Sequence, residues 1–389
     1  MTARRASTPA ATQQQLFPPE SDDDAAAELQ ARIAVSLLSE PGDRAVGSAI
    51  ARDGPIATAA RLGRSRVPRP GRGALVDAVA AQLDRAQTIG AVPLIPGRSG
   101  WPTQLDDLED AAPVVLWVRG GDVRRDLLRS VSIVGARACS PYGRTQAETI
   151  AAELALFGWT VVSGGAYGID AAAHRGALAV AGRTVLVSAG GVDRPYPAAH
   201  DHLFRQVQAN GAVVSECPLG APPARHRFLT RNRLIAALSR GTVIVEAGLK
   251  SGARSTATSA AQLSRHVMAV PGPVTSDLSS GCHDLIREGA AVLVTGSREI
   301  LELVRPLAAD MGEESASDTP NRAVLSILAA RGPLSHDELA AQLQFGDADE
   351  LIALLTILEG AGYVVRSGRG WRVEEETMRR LAGLGDRSE

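Results

Sequence analysis

SVSIVGARACSPYGRTQAETIAAELALFGWTVVSGGAYGIDAAAH, residues 130–174, decides how this chain folds. Two short apolar runs rich in β-branched residues, SVSIV and WTVV, each break at a glycine-containing turn and pass into helical patterning. Runs of this kind, bounded by turn residues and alternating with helices of about 10–15 residues, read as the buried strands of a mostly parallel sheet covered on both faces. The texture extends in both directions: from Val114 onward the runs are VVLWV, SVSIVG, WTVVSGG, TVLVSAGG, AVVSE, TVIVEAG, HVMAVPG and AVLVTG. Right-handed crossovers bring the C-terminal ends of such strands to one edge, where ligands of open α/β sheets bind. The informative residues are therefore expected just after the strands.

They stand there. After SVSIV come Gly135, Ala136 and Arg137, then Ser140 and Gly143; glycine lets backbone approach a ligand, and Arg137 at the tip can fork onto a phosphate. After WTVV comes Ser163-Gly164-Gly165-Ala166-Tyr167-Gly168, opening a helix, and amides of a glycine-rich turn at a helix N-terminus attract anions. After TVLVSA come Gly190, Gly191 and Asp193, and after TVIVEA come Lys250, Ser251, Gly252, Ala253 and Arg254.

Charge points the same way. Residues 225–257 carry Arg225, Arg227, Arg231, Arg233, Arg240, Lys250 and Arg254 against one acid, Glu246, in a chain whose formal net charge is -2. Lys250 is the only lysine among 41 Lys+Arg. Its retention suggests a position wanting a compact, rotatable point donor, which a planar guanidinium does not imitate; the alternative is chance survival. Glycine corners with Arg137, Arg231, Arg233 and Lys250 beside them form a basic rim lined with amides, and the expected ligand is polyanionic.

Several classes are disfavoured. GARACSPYG lacks the G-x-G-x-x-G spacing and a following acid for a ribose, and no G-x-x-x-x-G-K-[ST] occurs, which argues against a dinucleotide enzyme and a P-loop ATPase. Asp170, Asp193, Glu216 and Glu246 are single acids at strand ends, with no paired carboxylates and no Ser/His/Asp arrangement; Asp170 is expected to hydrogen-bond the glycine turn. His174 and His266 read as structural. Cys139, Cys217 and Cys282 share no metal or disulfide spacing and read as reduced cytoplasmic thiols. No cofactor, metal, membrane anchor or secretion signal is expected.

These residues resemble a known family. VGAR-x-x-S-x-YG (134–143), SGGA-x-GID-x-x-AH (163–174), G-x-D-x-x-YP (191–197), RNR-x-IA-x-LS (231–239), KSGA (250–253) and AVPG (269–272) are similar to motifs of the DNA-processing protein A (Smf) family, over roughly residues 96–305. The resemblance implies an extended Rossmann-like domain that binds single-stranded DNA, forms a homodimer and loads the recombinase RecA on incoming strands during natural transformation. It places the family's DNA-binding arginine on Arg137 and its lysine on Lys250, and puts Leu285–Leu303 in the dimer surface. The chain departs from the family's pattern at Arg254, an added guanidinium expected on a phosphate, at His200 and His283, and at Leu229-Thr230.

With aromatics at 3%, only Tyr142, Tyr167, Tyr196 and Phe228 are available near the rim, so phosphate contacts are expected to dominate and binding to be sequence-tolerant and salt-dependent. Phe228 reads equally as a core plug.

Outside the core, residues 1–24 read as a tail, 25–95 as a helical, SAM-like domain, 306–319 as an acidic linker, 320–375 as a winged helix and 376–389 as a second tail. The would-be recognition helix carries Asp347, Asp349, Glu350 and Glu359 and no base, so protein contact or a structural role is favoured over duplex reading. The function expected is a non-catalytic, single-strand-binding recombination mediator; the alternative is a nucleotide hydrolase of a related Rossmann-like group, although no P-G-G-x-G-T-x-x-E occurs.

Overall fold

The structure, a computed structural model, describes residues 22–65, 72–305, 320–343, 348–368, 370–375 and 377–378. The expected linker 306–319, most of the two expected tails and Asp347 lie outside the described residues.

Four helices come first: α1 (Asp22–Leu38), α2 (Arg44–Asp53), α3 (Pro55–Ser65) and α4 (Arg72–Ile89). Asp43 caps α2 by accepting from the amides of Ala45 and Val46, and Gly54 closes it at φ 81°. Their apolar stripes, including Ile33, Val35, Val46, Ala59 and Val79, share one core with the adjoining face of the sheet.

The sheet region then runs β1 (Ala91–Leu94), a 3₁₀ segment at Thr103–Ala111, β2 (Leu116–Gly120), α5 (Val123–Asp126), β3 (Ser130–Val134), α6 (Pro141–Leu156), β4 (Thr160–Ser163) and α7 (Ile169–Ala179). It continues with β5 (Thr184–Val187), α8 (Asp201–Asn210), β6 (Gly211–Ser215), α9 (Arg225–Ala237), β7 (Gly241–Ile244), α10 (Gly252–Gln262), β8 (His266–Ala269), α11 (Ser280–Arg287), β9 (Val292–Leu293) and α12 (Ser297–Val304). The eight apolar runs become β2 to β9 in order. The segment 91–94, which falls within the span read as helical, instead adds an edge strand.

The strand order is β1-β2-β6-β5-β4-β3-β7-β8-β9, parallel throughout except for the antiparallel pairs β1–β2 and β2–β6. Strands β3 to β7 are buried at every residue, as expected where helices cover both faces. From β3 the chain builds β4, β5 and β6 to one side, then crosses back to place β7, β8 and β9 on the other. A crevice opens at the C-terminal ends of the strands where the winding direction reverses.

The described chain ends with α13 (Pro320–Arg331), α14 (His336–Leu343), α15 (Ala348–Gly360) and the antiparallel pair β10 (Val364–Ser367) and β11 (Gly370–Val373). Leu351, Leu355 and Leu358 of α15 join the same apolar cluster as α6 and α7, and the Asn321 side-chain amide donates to the carbonyl of Val180.

Candidate nucleic-acid interface

A cleft of about 590 Å³ occupies the crevice, walled by the strand-end turns after β3, β4 and β7 and by one face of α9. Its shape depends on glycine. At Gly135 a Cβ would lie 2.6 Å from Ile169 Cγ1 and 2.7 Å from the Glu246 carbonyl, and at Gly168, held at φ 76°, it would lie 2.2 Å from the Ala136 carbonyl. The turns after β3 and β4 are thus pressed together, and the Ile169 amide donates to the Ala136 carbonyl at 3.2 Å. No side chain larger than hydrogen fits between them.

Helix α9 supplies the opposite wall through Arg225, Phe228, Asn232 and Ile235, spaced to share one helical face. Arg137 is exposed at the tip of the β3 turn, its guanidinium 5.0 Å from the Phe228 ring centroid. Phe228 also meets Tyr196 at 5.4 Å between centroids. It is therefore neither a core plug nor a free stacking platform: it is a half-buried wall that orients a cation.

Arg231 forms the floor. It is only 6% exposed and donates to the carbonyls of Gly164, at 2.8 Å, and Val187. It ties together the ends of β4 and β5 and fills the space a Cβ on Gly164 would need. Burial lowers its pKa to about 10, opposed by the Asp170 carboxylate and assisted by Arg137. Asp170, also 6% exposed, accepts from the Ala166 amide at 3.3 Å, which is the turn-capping role expected for it; burial raises its pKa against the pull of Arg231. Two other groups of the same turn have internal partners: the Gly165 carbonyl faces His200 Nδ1 at 3.0 Å, and the Ser163 hydroxyl donates to the Ile133 carbonyl at 2.6 Å.

Two expectations need correcting. Arg233 is not on the rim: both arms of its guanidinium pair with Glu216, at 2.9 and 2.6 Å, and its side chain is nearly buried. Arg254, read as an added phosphate ligand, is held by Asp284 at 2.7 Å with Glu288 at 3.9 Å, and does not line the cleft. Arg227 is likewise claimed by Glu40, from the loop after α1, in a two-armed pair at 2.9 and 3.0 Å, with His226 beside it at 3.1 Å. Of the seven cations at 225–257, Arg225 and Lys250 alone have no protein acceptor among the described residues. Lys250 is exposed in the turn that leads into Ser251 and Gly252, both of which line the cleft, and Ser251 caps α10 by accepting from the Ala253 amide at 3.2 Å. Arg225 was not singled out as a site residue; its i, i+3 relation to Phe228 on a helix was the available signal.

His174 is buried against Thr184 Oγ1 at 2.7 Å, and burial pushes the thiols of Cys217 and Cys282 up to about 11. Among the described residues no group of His, Cys, Asp and Glu is arranged to hold a metal ion.

Residues 93–305 match the family described as DNA recombination-mediator protein A. The chain belongs to that family. The putative DNA processing protein DprA of Mycobacterium tuberculosis is 40% identical over 364 residues, covering 87% of this chain and 92% of that protein. DprA of Streptococcus pneumoniae is 40% identical over 203 residues, 52% of this chain and 70% of its own length. The X-ray structure of DprA from Streptococcus pneumoniae superposes with a TM-score of 0.58 at 31% identity, covering 72% of this chain and 98% of that one. The family match begins within β1, so the edge strand as well as the Rossmann-like sheet lies in the shared region.

Proposed function

We propose that the cleft binds single-stranded DNA and that the protein is a non-catalytic recombination mediator. The observation that carries this is the composition of the cleft: Arg137, Arg225 and Arg231 face Asp170 alone among acids, with Phe228 and Tyr196 as aromatic surface. Single-strand binders combine a cationic groove with aromatic faces, and the groove supplies a salt-dependent, sequence-independent term. Arg137, Arg225 and Lys250 grip phosphates; the glycine turns let the backbone come close; Arg231 holds the floor in place. Family membership supports the reading, and with it a cytoplasmic homodimer that includes Leu285–Leu303 in its interface and delivers the strand to RecA. Val292 and Leu293, exposed on the sheet-edge strand β9, are consistent with that interface.

We further read the four N-terminal helices as a SAM-like domain and the three C-terminal helices with their hairpin as a winged helix that contacts protein. Packing of Leu351, Leu355 and Leu358 into the cluster shared with α6 and α7 supports a docked rather than a DNA-probing α15.

The test is fluorescence anisotropy of labelled oligo-dT with wild type, Lys250→Ala and Arg137→Ala across a salt series. Weaker binding by each variant, with log K against log salt shallower by about 0.7 per lost phosphate contact, is expected. Unchanged affinity in both variants, or release of base from nucleoside monophosphates, would move the nucleotide hydrolase reading to the front.

A further inference from the structure

The chain keeps its few aromatic rings inside, with one local exception. All four tryptophans are buried, yet Tyr142, Tyr167 and Tyr196 are 38, 49 and 45% exposed. These three stand on the segments that follow β3, β4 and β5, at the C-terminal ends of the strands. Tyr142 is a strut there, because its hydroxyl donates to the Pro271 carbonyl at 2.6 Å. Tyr167 and Tyr196 have no hydrogen-bond partner for their hydroxyls among the described residues, so internal bonding does not account for their position.

Both rings are held from behind. Tyr167 meets His200 edge to face, with 4.7 Å between centroids, and the buried His200 is itself fixed by Nδ1 on the Gly165 carbonyl. Tyr196 leans on Phe228 at 5.4 Å. Tyr196 and His200 are four residues apart, the last three forming a 3₁₀ turn, so the two ring pairs lie within about 14 Å of backbone, a span of a few nucleotides at about 3.4 Å each. A half-exposed ring fixed by a second ring is a face already oriented for a base.

The loop between β5 and Tyr196 sorts its charges to match. Asp193 is turned inward, accepting from Arg85 Nε at 2.7 Å and from the Gly220 amide at 2.8 Å. Arg194, the next residue, is exposed and its side chain has no acceptor among the described residues. The nearby exposed acid Asp201 is paired with Arg205 at 2.5 Å. Strand order β5-β4-β3-β7 sets Tyr167, Tyr196 and Arg194 on one side of β3 and Lys250, after β7, on the other. We propose that Tyr167 and Tyr196 are base-stacking platforms and Arg194 a phosphate ligand of an exit subsite, which takes the nucleotides that follow those held in the cleft as the strand crosses the ends of β4 and β5. This rests on the cleft being a single-strand site, and it adds that bases as well as phosphates are gripped, on the side away from Lys250.

Anisotropy with oligo-dT and with an abasic deoxyribose-phosphate oligomer of equal length separates stacking from charge. Wild type is expected to prefer oligo-dT. Tyr167→Leu and Tyr196→Leu are each expected to bind oligo-dT about fivefold or more weakly and the abasic oligomer as wild type does, while Tyr167→Phe, which keeps the ring, binds both as wild type does. Arg194→Ala is expected to weaken both, with a salt slope shallower by about 0.7. If the leucine variants match wild type on oligo-dT, or lose both oligomers alike, or if Arg194→Ala changes neither affinity nor slope, the proposal is overturned; the cleft reading stands wherever Lys250→Ala still weakens both oligomers. If wild type binds neither at low salt, both fall.

Discussion

Replacing Arg231 with methionine separates a residue that holds the cleft from one that holds DNA. The guanidinium is almost wholly enclosed and donates to two strand-end carbonyls, of Gly164 and Val187, beside the buried Asp170. Methionine approximates its length but donates nothing. Each buried carbonyl left without a donor costs about 1–3 kcal/mol, and Asp170 loses the nearest charge that favours its ionised form. Loss of one partner from a buried charged network costs about 3–5 kcal/mol, a large share of a typical folding stability of about 5–15 kcal/mol. We expect the urea midpoint of Arg231→Met to fall by an amount equivalent to about 3 kcal/mol with an unchanged m-value, and single-strand affinity to fall as the turn after β4 loosens. The assay is urea unfolding followed by tryptophan fluorescence, run beside oligo-dT anisotropy. A variant with wild-type stability and lost DNA binding would refute the reasoning, because Arg231 would then be a phosphate ligand instead of a brace.

Other perturbations follow from the same geometry. Gly168→Ala places a side chain at φ 76° and 2.2 Å from the Ala136 carbonyl, so a loss of at least about 1–2 kcal/mol of stability and weaker oligo-dT binding are expected by the same two assays. Burial holds the pKa of His174 at about 3 against an ordinary 6.5. The unfolded chain therefore takes up a proton that the folded one refuses: stability is fully present above pH 6.5, declines as pH falls towards 3, and shows a flatter acid limb in urea midpoints of His174→Gln. Glu40, drawn down from 4.5 to about 2 chiefly by its hydrogen bond from Arg227, contributes stability above pH 4.5 that is lost towards pH 2, and Glu40→Gln should remove that component. Arg254→Ala should leave oligo-dT affinity and salt slope unchanged, since its charge is spent on Asp284, and should cost no more than about 1 kcal/mol in unfolding.

The sequence by itself determined the architecture of the core and the edge at which the site lies. Eight apolar, β-branched runs broken by glycine corners admit few arrangements other than a mostly parallel sheet, because period and handedness are local properties of the chain. It also marked Arg137 and Lys250, whose positions follow directly from the strand ends they terminate. What the linear chain left open was which charges are available to a ligand. Arg225, Arg227, Arg231 and Arg233 lie within nine residues on one helix, yet they point to the cleft, to Glu40, to backbone carbonyls and to Glu216 respectively. The partners lie between 17 and 187 positions away in sequence, as with Glu216 and Glu40, and only the closed fold brings them within 3 Å. The edge strand β1 was missed for a related reason: its four residues, AVPL, carry no strand signal of their own and form a strand because β2 offers them a free edge. Local chemistry fixed the elements and the sign of the charge; long-range pairing chose which cations remain free to meet a phosphate.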